Sequence, residues 1–256
     1  MAHSPFVMTR TNNLGDILSS YPRSRPALSE AHQQIYVSHY LENREGTGHL
    51  TRFKNNLEAW MHKQIASHQY GNEVLEIGAG TMNHVAYEPP GLLYDAVEPF
   101  RELWQGRPGL LGIRNVYKSV AEIPEQLRYD RIFSIAVLEH LTDLPRVVAM
   151  AALRLRAGGR FQAGIPSEGG LFWGLAWRIS TGVSFRLRTG LPYKDLMRHE
   201  HVNRAAEILA ICSWFFEEIK IKRFPTPFHH LSFYCVVEGR RPRSARCCAQ
   251  IKEEAC

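Results

Sequence analysis

Four short apolar segments, separated by longer mixed segments, constrain the fold of this chain more than any other feature. The segments are residues 73–77, 92–98, 131–137 and 159–165. Between the last two, apolar residues recur at helical spacing from Leu144 to Leu155, and this helix is predicted to stop at Gly158-Gly159. Strands that alternate with helices form a parallel sheet whose two faces are covered by helices.

The segment after residue 204 predicts a different end for this sheet. A helix comes first, and its apolar face consists of Ala205, Ile208, Leu209, Cys212 and Phe215. Two strand-like segments follow at 218–224 and 231–239, joined by a connector of six residues. Such a pair predicts an antiparallel addition at the edge of the sheet.

The rest of the chain divides by composition into an arm, a domain and a tail. Residues 1–49 are predicted to form an N-terminal arm, and an amphipathic helix from Leu50 to Ile65 opens a domain that spans 50–240. Within it, residues 167–201 break the alternation and are interpreted as an insertion that binds substrate. Residues 241–256 are predicted to be a flexible, unpacked tail.

The composition is that of an ordinary globular protein, with 45% hydrophobic and 22% charged residues in a length of 256. No apolar run is long enough for a membrane-spanning helix and no signal-peptide pattern is present, so we expect a cytoplasmic protein. The net charge of +6 permits an anionic partner, either nucleic acid, a phosphate-bearing metabolite or a membrane surface. The five cysteines lack metal-site spacing, so we expect free thiols and no metal.

A glycine turn follows the first apolar segment in the string "VLEIGAGTMN", and the second segment ends at Glu98. In an open α/β sheet, ligands bind beyond the carboxyl ends of the strands, where such a turn presents backbone N–H groups. An acidic residue at the end of the next strand can accept hydrogen bonds from two ribose hydroxyls. The pair is therefore typical of a site for an adenosine-containing cofactor, although an ordinary turn and a solvated strand end would use the same residue types.

The nicotinamide-binding pattern G-x-G-x-x-G does not fit this turn. Asn83 occupies its third glycine position, and Pro89-Pro90 leave little room for the long helix that receives a pyrophosphate. A longer series fits better, with "VLEIGAG", "VEPF", "YDRIFSIAVLEHL" and "LRAGGRFQAGIPSEG" in this order between residues 74 and 170. In this series the chain resembles the class I S-adenosylmethionine (SAM)-dependent methyltransferases, in particular those that modify small molecules.

The resemblance implies an α/β fold with a Rossmann-like seven-stranded sheet, mostly parallel with an antiparallel last strand. It also implies helices on both faces, an N-terminal helical arm, a lid-like insertion after the fifth strand, and SAM as the cofactor. The residues that it assigns to the cofactor are Glu76, Gly78, Ala79, Gly80, Glu98, Ser119, Val120 and Ala136. Two positions depart from the family pattern, because Ser119 replaces an aspartate and Met82 stands where many members have a third glycine.

Three histidines are candidates for a general base, since an imidazole with a pKa near 6.5 can accept a proton at neutral pH. His140 follows the fourth strand, which the resemblance places beside the cofactor. His199 and His201 lie in "RHEHVN", where related enzymes often have an H-x-N sequence. We rank His201 slightly above His140, and the alternative is that these residues only pack, cap a helix or lie on the surface.

The insertion combines aromatic residues, which stack, with arginines, which pair with phosphate or carboxylate. The residues that we expect to contact the acceptor molecule are Trp173, Trp177, Arg186 and Tyr193. A lid with a buried apolar side and a solvated basic side would have a similar composition.

The leading prediction is a SAM-dependent methyltransferase that modifies an O or N atom of a polar small molecule, such as a sugar or a phosphate-bearing metabolite. A nucleic-acid methyltransferase is the second interpretation, disfavoured because "AVLEHL" lacks the Pro-Pro-aromatic sequence that stacks a flipped base. A non-catalytic partner protein with the same fold is an interpretation of a different class, and a nicotinamide oxidoreductase is the third, disfavoured by Asn83. The fold alone does not identify the acceptor, because one scaffold serves many substrates.

Overall fold

The framework of the molecule is one sheet, seen in a computed structural model that describes residues 14–35, 59–67 and 70–252. Its seven strands are β1 (Glu73–Ile77), β2 (Leu93–Val97), β3 (Asn115–Tyr117), β4 (Tyr129–Ile135), β5 (Leu155–Pro166), β6 (Phe216–Pro225) and β7 (Ser232–Pro242). They lie in the order β3-β2-β1-β4-β5-β7-β6. The first five run parallel, and β7 runs antiparallel to β5 and to β6. The predicted fold class, including the antiparallel last strand, is confirmed.

Helices cover both faces of the sheet. They are α1 (Leu14–Ser19), α2 (30–35), α3 (59–66), α4 (Arg101–Trp104), α5 (Leu144–Leu153), α6 (Leu171–Trp177), α7 (Val183–Thr189), α8 (Tyr193–Glu200), α9 (Ala205–Phe215) and α10 (Ser244–Lys252). Successive side chains of a strand point to opposite faces. Leu75 therefore packs into the core below α5 and α9, whereas Val74 packs into a second core that contains Met61 of α3.

The N-terminal segment packs against the domain. Ile17 of α1 is buried in the larger core, and Arg23 forms a salt bridge with Glu207 of α9 at 2.8 Å. Of the helix predicted from Leu50 to Ile65, only the part from residue 59 lies among the described residues, and there Ile65 is buried as expected.

Two local predictions from the sequence were incomplete. The helix predicted to include Leu155 ends at Leu153, and Leu155 instead begins β5 and pairs with Tyr129. The spacing of apolar residues could not distinguish a helix that includes Leu155 from a strand that begins there, because the last helical turn and the first strand residue are both buried. No strand was predicted at β3, which is only three residues long, lies at the sheet edge and is partly exposed.

The predicted unpacked tail is wrong for residues 241–252. Arg243 donates hydrogen bonds to the carbonyl oxygens of Ser213 and Phe216, at 2.7 and 2.8 Å, and so satisfies carbonyl groups at the end of α9. Cys247 of α10 is fully buried, and Arg246 lies over the ring of Trp214. The arginines of this segment have partners in the fold that composition did not indicate.

Candidate active site

The carboxyl ends of four adjacent parallel strands bring the predicted cofactor residues to one edge of the sheet. The glycine turn follows β1, Glu98 follows β2, Ser119 follows β3 and Ala136 follows β4. Ligands of open α/β sheets bind at this edge. Residues far apart in the sequence therefore meet where a cofactor would lie.

The glycine turn is held by backbone contacts and has no room for a side chain at Gly78. Gly78 has a φ of +75°, and a Cβ atom there would lie 2.4 Å from the nearest methyl carbon of Val137. The N–H groups of Gly78 and Ala79 donate to the carbonyl oxygen of Val97 at 2.8 and 3.2 Å, which joins the turn to β2. Gly80 also has a positive φ, of +52°. Gly78 is thus required by both the conformation and the packing of the turn, and the positive φ of Gly80 favours glycine there.

Met82 keeps the backbone conformation expected of the glycine it replaces. Its φ is 61° and its ψ is 30°, in the left-handed region. The side chain is buried against Ala79 and Ala96, so the methionine fills space below the turn. The turn then continues into a short 3-10 helix, Asn83–Tyr87, in agreement with the prediction that a long helix does not fit here.

Glu98 is fastened to the glycine turn. Its Oε2 atom accepts a hydrogen bond from the Gly80 N–H at 2.8 Å, and its Oε1 atom accepts one from the Phe100 N–H at 3.0 Å. A carboxylate has about four lone-pair sites, so both oxygens of this buried group keep the capacity to accept further hydrogen bonds. The carboxylate is therefore oriented before any ligand binds.

The four other predicted cofactor residues differ in burial and in backbone conformation. The Glu76 side chain is buried, and its Oε2 atom accepts a hydrogen bond from the Tyr94 hydroxyl at 2.6 Å. Burial raises the pKa of Glu76. The side chain of Val120 lies in the larger core, so that only its backbone could contact a cofactor, whereas Ser119 is exposed. Ala136 has a φ of +53°, a rare conformation for a residue other than glycine.

A buried polar network lies behind the glycine turn and was missed at the sequence level. His84 contacts His62 through the two Nδ1 atoms at 2.9 Å and Glu88 through Nε2 at 2.7 Å, and Arg131 forms a salt bridge with Glu88 at 2.6 Å. Burial, together with the neighbouring His84, lowers the pKa of His62 to about 3. Such residue types are usually exposed, so only their three-dimensional pairing reveals them.

Two of the three candidate histidines meet. The ring centroids of His140 and His201 are 4.7 Å apart and the rings are nearly perpendicular. The His201 Nδ1 atom forms a short hydrogen bond with a carboxylate oxygen of Glu168, which follows the end of β5. Burial lowers the pKa of His201, but the hydrogen bond and charge of Glu168 more than offset it, so the pKa is raised. Glu168 was not among the predicted residues, since no local pattern links it to His201.

The ring of His140 is fixed from the opposite side. Its Nδ1 atom lies 2.9 Å from the carbonyl oxygen of Glu200, to which it donates a hydrogen bond in the matching tautomer. Burial and the neighbouring His201 lower the pKa of His140 to about 4. The two adjacent histidines therefore have pKa values shifted in opposite directions, an arrangement typical of acid–base sites.

His199 has a separate location. Its Nδ1 atom lies 2.7 Å from the carbonyl oxygen of Pro26 in the N-terminal segment. The structure therefore brings His140 and His201 together and places His199 against the arm.

Asn203, the last residue of the H-x-N sequence, holds the turn after β4. Its Nδ2 atom donates to the carbonyl oxygens of Leu138 and Leu141 at 2.8 and 2.7 Å. Its Oδ1 atom accepts hydrogen bonds from the Tyr21 hydroxyl at 2.6 Å and from Arg23 at 3.2 Å. This fully buried amide connects the N-terminal arm to the segment that carries the histidines.

Of the four predicted acceptor residues in the insertion, Trp177 and Tyr193 lie together, whereas Trp173 and Arg186 are not part of this pair. The ring of Trp177 lies 6.0 Å from that of Tyr193, and burial raises the pKa of Tyr193 to about 12. Trp173 instead packs against Tyr234 of β7, and Arg186 is exposed. Within the described residues, no group of three or more His, Cys, Asp or Glu side chains could hold a metal ion.

Several solved structures share this architecture. A SAM-dependent methyltransferase from Thermotoga maritima, described as a possible histamine N-methyltransferase, is 14% identical over 83% of this chain and 99% of its own, with a TM-score of 0.53. An O-methyltransferase family protein from Burkholderia thailandensis is 12% identical over 89% of this chain and 67% of its own, with a TM-score of 0.54. The plantazolicin methyltransferase BpumL, solved with SAH, is 13% identical over 82% of this chain and 91% of its own, with a TM-score of 0.53.

Neither a scan against protein-family models nor a search of curated proteins finds a match. The structural likenesses, at 12 to 14% identity, are likenesses of fold. The seven strands and the antiparallel last strand agree with the fold that the sequence resemblance implies. The chain therefore has the Rossmann-like fold of the class I SAM-dependent methyltransferases.

Proposed function

We propose that this protein is a SAM-dependent methyltransferase that modifies a hydroxyl group of a polar small molecule. One observation carries the proposal: the same edge of the sheet holds the glycine turn fastened to Glu98 and the histidine pair with its carboxylate, Glu168. A methyltransferase with a hydroxyl acceptor needs both a cofactor site and a base.

The residues of the cofactor edge fit SAM better than a dinucleotide. Glu98 offers two oriented carboxylate oxygens for ribose hydroxyls, and one of them is bonded to the backbone of the turn Gly78–Gly80. The 3-10 helix Asn83–Tyr87 is only five residues long, whereas a pyrophosphate is normally received by the N-terminus of a longer helix. When bound, SAM supplies a methyl group on a positively charged sulfur atom.

The base in this proposal is His201. The hydrogen bond of its Nδ1 atom to Glu168 selects the tautomer in which Nε2 is free of a proton and can accept one from a hydroxyl. Glu168 also stabilises the imidazolium that results. His140 lies against His201, and its lowered pKa keeps it neutral at physiological pH, so that it does not repel the protonated partner.

A small-molecule acceptor is supported by the proteins of the same fold, which include a possible histamine N-methyltransferase and a plantazolicin methyltransferase. The pair Trp177 and Tyr193 offers aromatic surface in the insertion. The anionic character of the acceptor and the cytoplasmic location of the protein stay predictions.

Calorimetry and mass spectrometry together test this function. We expect SAM and SAH to bind more tightly than NAD, and a preference for NAD would contradict the proposed cofactor. Incubation with SAM and a panel of sugars and other polyols should give products heavier by one methylene unit. A matched panel of amines tests the acceptor atom, because methylation of amines alone would contradict the hydroxyl proposal while leaving SAM as the cofactor.

A further inference from the structure

The insertion carries a ridge of exposed apolar side chains on its outer surface. Five residues at a spacing of four form it, with exposed fractions of 64, 55, 62, 49 and 82%, and they are Leu171, Leu175, Ile179, Val183 and Leu187. A π-helical turn at Arg178–Gly182 joins α6 to α7, so helical structure runs from the first of these residues to the last. Residues four apart lie on one ridge of a helix. The ridge is therefore one continuous surface, called the apolar ridge below.

The apolar ridge is too regular to be a scatter of surface residues. Single exposed apolar side chains are ordinary, but a contiguous patch marks a site of interaction. The inner side of the same helices packs normally, since Trp173 lies against Tyr234 and Phe185 is buried beside Tyr193. The helix pair is thus apolar on two sides, and the fold buries only one of them.

The segment that carries the apolar ridge is basic. Between Glu168 and Asp195 the sequence contains no acidic residue. The basic residues in that interval are Arg178, Arg186, Arg188 and Lys194, and all four are exposed. A helix with apolar and basic residues on its exposed surface is the pattern of elements that lie in the interface of an anionic membrane.

A second copy of this chain would fit the apolar ridge less well. A two-fold interface brings the same patch of both subunits together, so the arginines of one copy would face those of the other. Phosphate headgroups of lipids instead supply negative charge next to an apolar layer. The exposed aromatic residue Phe228 lies in the connector between β6 and β7. The next residue, His229, lies against Gly170 at the start of α6, so Phe228 adds apolar surface beside the apolar ridge.

We propose that the apolar ridge binds the surface of an anionic lipid bilayer, with Leu175, Ile179 and Leu187 in the outer acyl region and Arg186 at the phosphates. The helices would lie in the plane of the membrane. In the described parts of the chain, no helix is long and apolar enough to cross a bilayer. This surface is independent of the cofactor edge, so the proposal does not rest on methyl transfer.

Vesicle sedimentation with the full chain tests the proposal. The protein should sediment with vesicles of phosphatidylcholine and phosphatidylglycerol in equal amounts, and much less with phosphatidylcholine alone. The double variant Leu175→Ser/Ile179→Ser should lower vesicle affinity at least about tenfold, because two apolar side chains no longer enter the acyl region. Arg186→Gln should lower it about fivefold, for the anionic vesicles only. The matched control is Leu111→Ser, which removes a side chain that is 94% exposed outside the insertion.

Two results would overturn the proposal. One is that wild-type protein fails to bind anionic vesicles, or that the ridge variant binds them as tightly as the wild type and the control. The other is that light scattering shows a wild-type oligomer which Leu175→Ser/Ile179→Ser dissociates without changing vesicle binding, since the ridge would then join copies of the chain. Thermal unfolding of every variant confirms that the surface changes leave the fold intact.

Discussion

The two halves of the candidate site are built in different ways. The cofactor half, Gly78–Gly80 with Glu98, consists of backbone N–H groups and one carboxylate that are joined across 18 residues of chain. The histidine half, His140, Glu168 and His201, consists of side chains from three segments and is tied through Asn203 to Tyr21, 182 residues away.

The difference shows what each half requires of the sequence. A turn that needs positive φ values must use glycine at Gly78, and this leaves a local signature that can be read directly. A side-chain pair such as His201 with Glu168 needs only that the fold bring two residues together, so the residues can come from any part of the chain. Changes in the histidine half should therefore alter turnover and long-range packing, whereas changes in the cofactor half should alter ligand affinity.

The largest expected effect is on turnover, from His201→Gln. Removal of a general base typically lowers kcat by about 10²- to 10⁴-fold, and SAM affinity should stay within about threefold because the cofactor half is untouched. Glu168→Gln should lower kcat less and move the acid limb of the pH–rate profile to lower pH, because Glu168 raises the pKa of His201. His199→Gln is the matched control, since that ring contacts Pro26. Equal loss of kcat in His199→Gln and His201→Gln would contradict the assignment of the base.

The next effect is on cofactor affinity, from Glu98→Ala. The change removes hydrogen bonds from a charged acceptor and releases the Gly80 N–H, so SAM binding should weaken by about 1.5 to 3 kcal/mol. Isothermal titration calorimetry measures the effect. Glu102→Ala, in the first turn of α4, is the control for loss of a nearby acidic residue. Unchanged SAM affinity in Glu98→Ala would mean that the ribose lies elsewhere.

A smaller effect on stability is expected from Asn203→Ala. It leaves the Tyr21 hydroxyl and the carbonyl oxygens of Leu138 and Leu141 without their partner, at a cost of about 1 to 3 kcal/mol in the free energy of unfolding. Urea unfolding measures the free energy of unfolding, and Tyr21→Phe should show part of the loss that Asn203→Ala shows. Because this amide supports only the histidine half, kcat should fall more than SAM affinity. An equal decrease in both would show that the two halves are not separate.

Stability should also depend on pH, with contributions from the histidine half and from the network behind the glycine turn. The folded-state pKa values of His62 and His140, about 3 and about 4, lie below the ordinary value of 6.5. The unfolded chain therefore binds protons first, and stability should fall as pH decreases from 6.5 towards these values, by at most about 1.4 kcal/mol per pH unit for each histidine.

Urea unfolding at several pH values between neutrality and pH 4 measures this slope. His62→Phe and His140→Phe should each flatten it, the first from the network behind the glycine turn and the second from the histidine half. A slope that is unchanged in both variants would show that neither histidine is kept neutral by the fold.

Much of the fold could be predicted from the sequence because it depends on local patterns. β1 coincides with the predicted segment 73–77, and α9 buries the predicted apolar face. The short edge strand β3 and the packed helix α10 gave weak signals. The strand has few apolar residues, and the helix follows an arginine-rich segment whose Arg243 serves as a cap.

For the site, sequence patterns indicated the positions that the backbone brings to the carboxyl edge of the sheet, and the roles of those residues stay predictions. The network of His62, His84, Glu88 and Arg131 could not be predicted, because burial of charged residues depends on partners that are distant in the chain. Glu168 was missed for the same reason.

The long link between Tyr21 and Asn203 bears on how the protein is made. Chains are synthesised from the N-terminus at about 5 to 20 residues per second, so Tyr21 leaves the ribosome roughly 10 to 40 seconds before its partner, 182 residues later. Gly80 and Glu98, 18 residues apart, are translated within a few seconds of each other at these rates. The nascent chain therefore has both residues of the contact between the glycine turn and Glu98 long before it can close the contact between Tyr21 and Asn203. A prematurely terminated product that lacks Asn203 would retain the first contact without the second.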